Sequence, residues 1–242
     1  MDGTHVAALE LKRTKHSMKL RQLVRRLRPS GWSGWPEKAY QRERYQQRLL
    51  AVQEQLTECL DTALRSPEHI LSICAGDGRD VIGVLRSHPR RRDVAAWLVE
   101  LDRQSVAGGV RRATEAGLAN TVTFVNDDAT DYATYKNIPP SDIVLVCGVW
   151  GHVPVVERAG LVRALAAFCT PRGTVIWTRG VSKGLAQLHE IQSHFIGPSW
   201  EEVRLHLTPD NRWGVATHRY YGPPVERPES GRIFNFQRTA GH

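Results

Sequence analysis

No apolar run in this 242-residue chain approaches the ~20 residues that cross a bilayer as a helix. A helical membrane protein and a membrane partner are therefore not expected. Cysteine is sparse: Cys59, Cys74, Cys147 and Cys169 lie far apart and form no C-x-x-C. That spacing suits neither a zinc site nor a disulfide framework, so no metal is expected and the thiols should be reduced and buried. The first residues, MDGTHVAALELKR, hold no uninterrupted apolar stretch of the kind a secretory signal requires. A cytoplasmic protein is the expectation. Internal repeats and low-complexity segments are missing, and nothing in the pattern indicates an oligomeric state.

What is present is an ordinary globular composition, 41% hydrophobic and 24% charged, enough for one substantial core. The formal net charge of +8 is uneven. Residues 1–30 carry a surplus of six positive charges, which leaves two for the remaining 212 residues. Such an arm can meet an anionic partner such as RNA. It also reads as an amphipathic helix, because Leu20, Leu23, Val24 and Leu27 recur at helical spacing with arginines on the other face.

Pro29 and the run Gly31–Pro36 mark a loop, after which a long helix is predicted from Pro36 to about Leu64. The period then changes. Strands are predicted at 70–74, 94–100, 121–125, 142–147 and 173–178, interleaved with helices at 81–85, 104–116, 155–168 and 182–194. This alternation implies βαβ crossovers and a parallel sheet covered on both faces. Glu202–Leu207 and Gly214–Tyr221 flank a Pro-Asp-Asn turn and read as an antiparallel pair, with a last extended piece at Arg232–Gln237. The fold class expected is α/β, Rossmann-like and doubly wound, with a mostly parallel seven-stranded sheet and an antiparallel C-terminal hairpin. Its divisions are an N-terminal helical extension or lid over 1–67, a core over 68–222 and a C-terminal extended segment over 223–242.

In an open parallel sheet, ligands bind beyond the carboxyl ends of the strands. The first strand runs into Ala75-Gly76-Asp77-Gly78, where two glycines let backbone approach a ligand. A dinucleotide fingerprint needs a third glycine where Val81 stands, and no G-K-[ST] follows. Asp77 and Asp80 add negative charge that should repel a pyrophosphate. The second strand ends in Val99-Glu100-Leu101, and Glu100 can accept from both hydroxyls of a ribose. The third ends in Asn126-Asp127-Asp128-Ala129, where a carboxylate can accept from an adenine amino group. These three strand ends describe an adenosine pocket without phosphate recognition.

The run Ile70-Leu71-Ser72-Ile73-Cys74-Ala75-Gly76-Asp77-Gly78 resembles the first motif of the class I S-adenosylmethionine-dependent methyltransferases. Ser72 stands where many members have an acid, and Cys74 replaces the first glycine. The resemblance puts Glu100 at the ribose-binding acid and Asp128 at the adenine-contacting acid, with Asp127 its close competitor. Asp142–His152 resembles the fourth-strand motif, which brings Gly148 to the pocket, and Thr170-Pro171-Arg172-Gly173 resembles the turn before the fifth strand. The likeness covers roughly residues 68–222. It implies S-adenosyl-L-methionine as cofactor, bound by Ala75–Gly78, Glu100, Leu101 and Asp127–Ala129, and methyl transfer to a nucleophile. Arg48 is a candidate for the carboxylate of the donor's methionine part.

His152, just past the fourth strand, is the candidate catalytic base for a hydroxyl acceptor. Trp32, Trp35, Tyr40 and Trp150 are candidate walls for the acceptor. Cys147-Gly148-Val149-Trp150 lacks the [N/D]-P-P-[Y/F] pattern of adenine or glutamine amino methylation, and no Pro-Cys nucleophile is present. The favoured acceptor is a small molecule, O- or N-directed. The alternatives are an RNA acceptor gripped by the basic arm, or a non-catalytic binding subunit on the same fold.

Overall fold

A computed structural model describes residues 43–63, 68–182 and 184–237. The basic arm, Trp32, Trp35 and Tyr40 lie outside the described residues. Five strands, β1 (Glu68–Ile73), β2 (Val94–Val99), β3 (Val122–Val125), β4 (Ser141–Val146) and β5 (Cys169–Gly180), pair in parallel. β6 (Trp200–Leu207) and β7 (Trp213–Tyr220) form an antiparallel hairpin. β7 also runs antiparallel to β5, giving the sheet order β3-β2-β1-β4-β5-β7-β6. The order reverses between β1 and β4, which opens a crevice at their carboxyl ends.

The helices are α1 (Glu43–Asp61), α2 (Arg79–Leu85), α3 (Arg103–Glu115), α4 (Val155–Ala166) and α5 (Ala186–Gln192). Alternate strand residues supply two cores. Ile70, Leu98, Ile143 and Leu145 pack with Val52, Leu56 and Leu60 of α1, Val81 and Ile82 of α2, and Ala113 of α3. Leu71, Val144, Val146 and Trp177 pack with Leu161 and Leu165 of α4 and Leu188 of α5. The α/β doubly wound architecture expected from the strand–helix alternation is therefore the one observed.

α1 is bound to the sheet by more than its apolar stripe. Gln55 donates from Nε2 to the Val215 carbonyl at 3.1 Å, and Arg90 caps the last turn through the carbonyls of Leu60 (2.9 Å) and Ala63 (2.8 Å). These bonds satisfy groups that burial would otherwise leave unpaired.

Three elements differ from expectation. β5 begins at Cys169, not at residue 173: Cys169 pairs with Ser141, and Thr170–Gly173 bulges out before Thr174 pairs with Ile143. Arg172 takes φ 68 there, and Pro171 has no N–H to offer the ladder. α5 is shorter than 182–194, because Gly184 at φ 98 is incompatible with helix. Arg232–Gln237 joins no strand and makes one isolated bridge, Asp131 with Arg232. It buries Ile233 and Phe234 and passes from the Thr130 carbonyl (2.8 Å to Ile233 N) to the His152 carbonyl (2.6 Å to Gln237 N).

His218 on β7 is buried, receives the Trp177 indole N–H at 3.1 Å on Nδ1, and stacks on Phe195 at 4.3 Å. Burial pushes its pKa down from 6.5 to about 4, against the opposing pull of Glu202. The unfolded chain takes up a proton near pH 6.5, whereas the folded one resists until about pH 4. His218 therefore contributes stability that is complete above pH 6.5 and is lost as pH falls from there toward 4. Denaturant unfolding at pH 7 and pH 5 should show the wild type losing more stability on acidification than His218→Gln. Equal losses would contradict this assignment.

Candidate active site

Beyond β1 the chain turns sharply. Cys74 takes φ 58, Gly76 φ 60 and Gly78 φ 69, all in the left-handed region. Cys74 thus adopts the conformation that a glycine adopts without steric cost. At Gly78 an added Cβ would stand 2.5 Å from Leu98 Cδ2 and 3.0 Å from Phe124 Cζ, so only glycine lets the turn lie this close to β2 and β3. α2 starts at the next residue.

Glu100 ties this turn to the end of β2. Its Oε2 accepts from the Gly76 N–H at 3.0 Å and its Oε1 from the Asp102 N–H at 2.7 Å. Asp102 in turn caps α3, accepting from Ser105 N at 3.0 Å and Ser105 Oγ at 2.7 Å. Asn126 spans to the same loop, donating from Nδ2 to the carbonyls of Glu100 and Leu101, each at 2.9 Å. Composition gave no signal for this role of Asn126; its place one residue past β3 was the available clue.

The two candidate adenine acids divide their work. Asp128 is committed to structure: Oδ1 accepts from Thr130 N (3.0 Å) and Oγ1 (2.6 Å), and Oδ2 pairs with Arg232 at 3.0 Å. Asp127 uses Oδ1 to accept from Asp128 N at 2.8 Å, and its Oδ2 has no partner among the described residues. Buried Ala129 follows, its carbonyl accepting from the Tyr135 hydroxyl at 2.8 Å. The geometry favours Asp127 over Asp128 as the acceptor of an amino group.

The acids of the turn do not present the repulsive negative surface expected of them. Asp77 is not an open negative charge: Arg79 Nε lies 2.7 Å and Arg112 Nη2 3.1 Å from its Oδ2. Asp80 is half-buried in the first turn of α2, and desolvation pushes its carboxyl pKa up. Arg112 comes from α3, thirty-five residues away, and that pairing left no trace in local sequence.

Arg48 reaches the same end of the sheet from α1. It is buried, with its guanidinium 5.0 Å from the Trp213 ring centroid and 5.7 Å from that of Tyr45. An added Cβ on Gly148 (φ 78) would stand 2.9 Å from Arg48 Nη1, and the Gly148 N–H is held by Thr178 Oγ1 at 2.9 Å. Arg48 and Gly148 are thereby brought together. Trp150 is not a wall. It is fully buried in the core, with its ring 5.8 Å from that of Trp177 and 6.1 Å from that of Phe195, because the chain after β4 turns it inward. His152 closes that turn, half-buried, and burial together with the nearby Arg179 cation pushes its pKa down.

Residues 31–195, over two thirds of the chain, match the family described as "Putative methyltransferase". The chain belongs to that family, and it is a methyltransferase. Solved structures share its fold. A SAM-dependent methyltransferase from Geobacter sulfurreducens, crystallised with S-adenosyl-L-homocysteine, is 15% identical at TM-score 0.55 and is matched over 70% of this chain and 90% of its own. A "putative O-methyltransferase" from Nostoc punctiforme PCC 73102 is 15% identical at TM-score 0.54, over 72% of this chain and 57% of its own. A "putative rRNA-methylase" from Clostridium thermocellum is 9% identical at TM-score 0.52, over 70% and 95%.

Substitution at the turn should separate its two kinds of left-handed residue. Cys74→Gly relieves a conformation that costs a non-glycine residue about 1 kcal/mol, so thermal unfolding should shift upward or stay level. Gly78→Ala adds a methyl where none fits and should cost about 1–3 kcal/mol. The reverse ranking would contradict the turn geometry.

Proposed function

We propose that the chain transfers methyl from S-adenosyl-L-methionine to a small-molecule acceptor. The observation that carries this is the joining of the glycine turn to Glu100 through the Gly76 N–H, with Asn126 tying the loop that carries Asp127 to the carbonyls of Glu100 and Leu101. The residues fit an adenosyl donor. Glu100 is a buried carboxylate at the end of β2, suited to a ribose diol, and glycine at position 78 lets the turn pack directly against Leu98 and Phe124 beside it. Asp127 suits the adenine amino group and Arg48 the methionine carboxylate.

When bound, the donor supplies a sulfonium methyl: the acceptor's lone pair forms the new bond as the methyl–sulfur bond breaks, its electron pair staying on sulfur. The chain's own work is alignment and exclusion of water. For a hydroxyl acceptor a proton must also leave, and His152 is the base proposed to take it. Its depressed pKa keeps the imidazole neutral at pH 7, the form that accepts.

A small acceptor is favoured over RNA because the residues after β4 carry no adenine-amino signature and both His152 and Gly148 sit half-buried. The basic arm over residues 1–30 supports RNA instead, and salt dependence separates the two. An RNA complex should lose affinity by orders of magnitude between low and moderate salt.

Calorimetry with S-adenosyl-L-homocysteine should give saturable binding that Glu100→Gln weakens by about tenfold or more, the loss of a charge-assisted hydrogen bond. Binding of neither S-adenosyl-L-homocysteine nor S-adenosyl-L-methionine would leave a non-catalytic subunit. His152→Ala should lower kcat by about a hundredfold on a hydroxyl acceptor, with donor affinity preserved. Unchanged turnover removes His152 from the reaction.

A further inference from the structure

Beside His152 stands a cation that the donor pocket does not use. Arg179 is the next-to-last residue of β5, on the strand face that also carries Val175 and Trp177. Its guanidinium lies against Gly151, where an added Cβ would stand 2.8 Å from Nη1. Nη2 donates to the side-chain oxygen of Gln187 on α5, a neutral partner. Nε is buried and finds no acceptor among the described residues.

The surrounding charges do not balance it. Arg158 of α4 is buried and paired with Glu190, and Glu190 also holds His194 Nε2 at 2.7 Å from its other oxygen. No carboxylate among the described residues lies within ion-pair distance of Arg179. Glu190 is thus committed to Arg158 and His194, and it pulls on Arg179 only from beyond ion-pair distance. Desolvation and the Arg158 charge push the Arg179 pKa down from its ordinary value, and Arg179 depresses His152 in turn. Holding a partly desolvated cation against an amide and a glycine costs stability that an arriving anion restores. Phe236, 46% exposed, stands edge-on to the His152 ring at 6.5 Å and offers an aromatic surface on the same side.

We propose that Arg179 is the anion anchor of the acceptor cleft, so that the methyl acceptor carries a carboxylate, most simply on an aromatic ring. The planar guanidinium matches a carboxylate with two parallel hydrogen bonds, and Gly151 leaves the space in which its head lies. The anchored group then sits beside His152, and its charge offsets the effect of Arg179 on the imidazole. This inference rests on reading the cleft as the acceptor side of a methyltransferase site. The donor's own carboxylate has the same chemistry, so the test must tell the two sources apart.

The full chain is titrated with benzoate, and with benzamide as the neutral isostere, with and without S-adenosyl-L-homocysteine. The readout is the NMR titration of the His152 imidazole, assigned by its loss in His152→Gln. Benzoate is expected to raise the His152 midpoint and benzamide to leave it in place. Arg179→Gln should weaken benzoate about tenfold or more, while S-adenosyl-L-homocysteine binds as in the wild type. Gly151→Ala, which displaces only the flexible head of Arg179, should weaken benzoate in the same direction.

Equal binding of benzoate and benzamide, or of benzoate to wild type and Arg179→Gln, overturns the proposal. So does no benzoate effect up to about 10 mM. If S-adenosyl-L-homocysteine alone raises the His152 midpoint through Arg179 and blocks benzoate, the anchor belongs to the donor and the proposal falls. If benzoate binds through Arg179 but S-adenosyl-L-homocysteine does not bind, the anion anchor stands and the donor reading falls.

Discussion

A single carboxylate joins the two loops that frame the crevice. Glu100 receives the Gly76 N–H on one oxygen and the Asp102 N–H on the other, which fixes the glycine turn after β1 against the loop after β2. Without that tie, two left-handed glycines and a left-handed cysteine would be a loop with many conformations. With it, the turn is held in one conformation, α2 leaves at a set angle, and Asp102 is positioned to cap α3. The carboxylate that organises the loops is also the one proposed to accept from a ribose.

Several charges around the crevice are arranged in compensated pairs. Asp77 is matched by Arg79 and Arg112, Asp128 by Arg232, and Arg158 by Glu190. Asp80 is half-buried at the start of α2, with Arg48 close enough to oppose the rise in its pKa. Arg179 has only an amide, and it stands at the end of β5 where the chain after β4 brings His152. The side toward β5 thus carries a cation with no carboxylate at ion-pair distance among the described residues.

Much of the fold was legible because its signals are local. β1 and β4 are short apolar runs bounded by turns, and the change of period from strands to helices predicts the crossovers that the sheet order requires. The start of β5 is not a local signal: Pro171 and Gly173 read as a turn, whereas pairing with Ser141 recruits Cys169 into the strand ahead of a bulge. Glu100, Gly76 and Gly78 were legible as strand-end residues. The long-range partners were not: Arg112 on Asp77, Arg232 on Asp128 and Arg179 beside His152 come from positions that only tertiary packing brings together. Trp150 shows the same limit in reverse, since its place next to His152 suggested a pocket wall and the packing of Trp177 and Phe195 draws it into the core.

The most direct measurement is a crystal structure of the full chain grown with S-adenosyl-L-homocysteine. The account predicts density for the nucleoside across the carboxyl ends of β1 and β2, with the ribose hydroxyls on Glu100 and the adenine amino group on Asp127. Density at any other place, or a crevice that holds only solvent at saturating ligand, would contradict it.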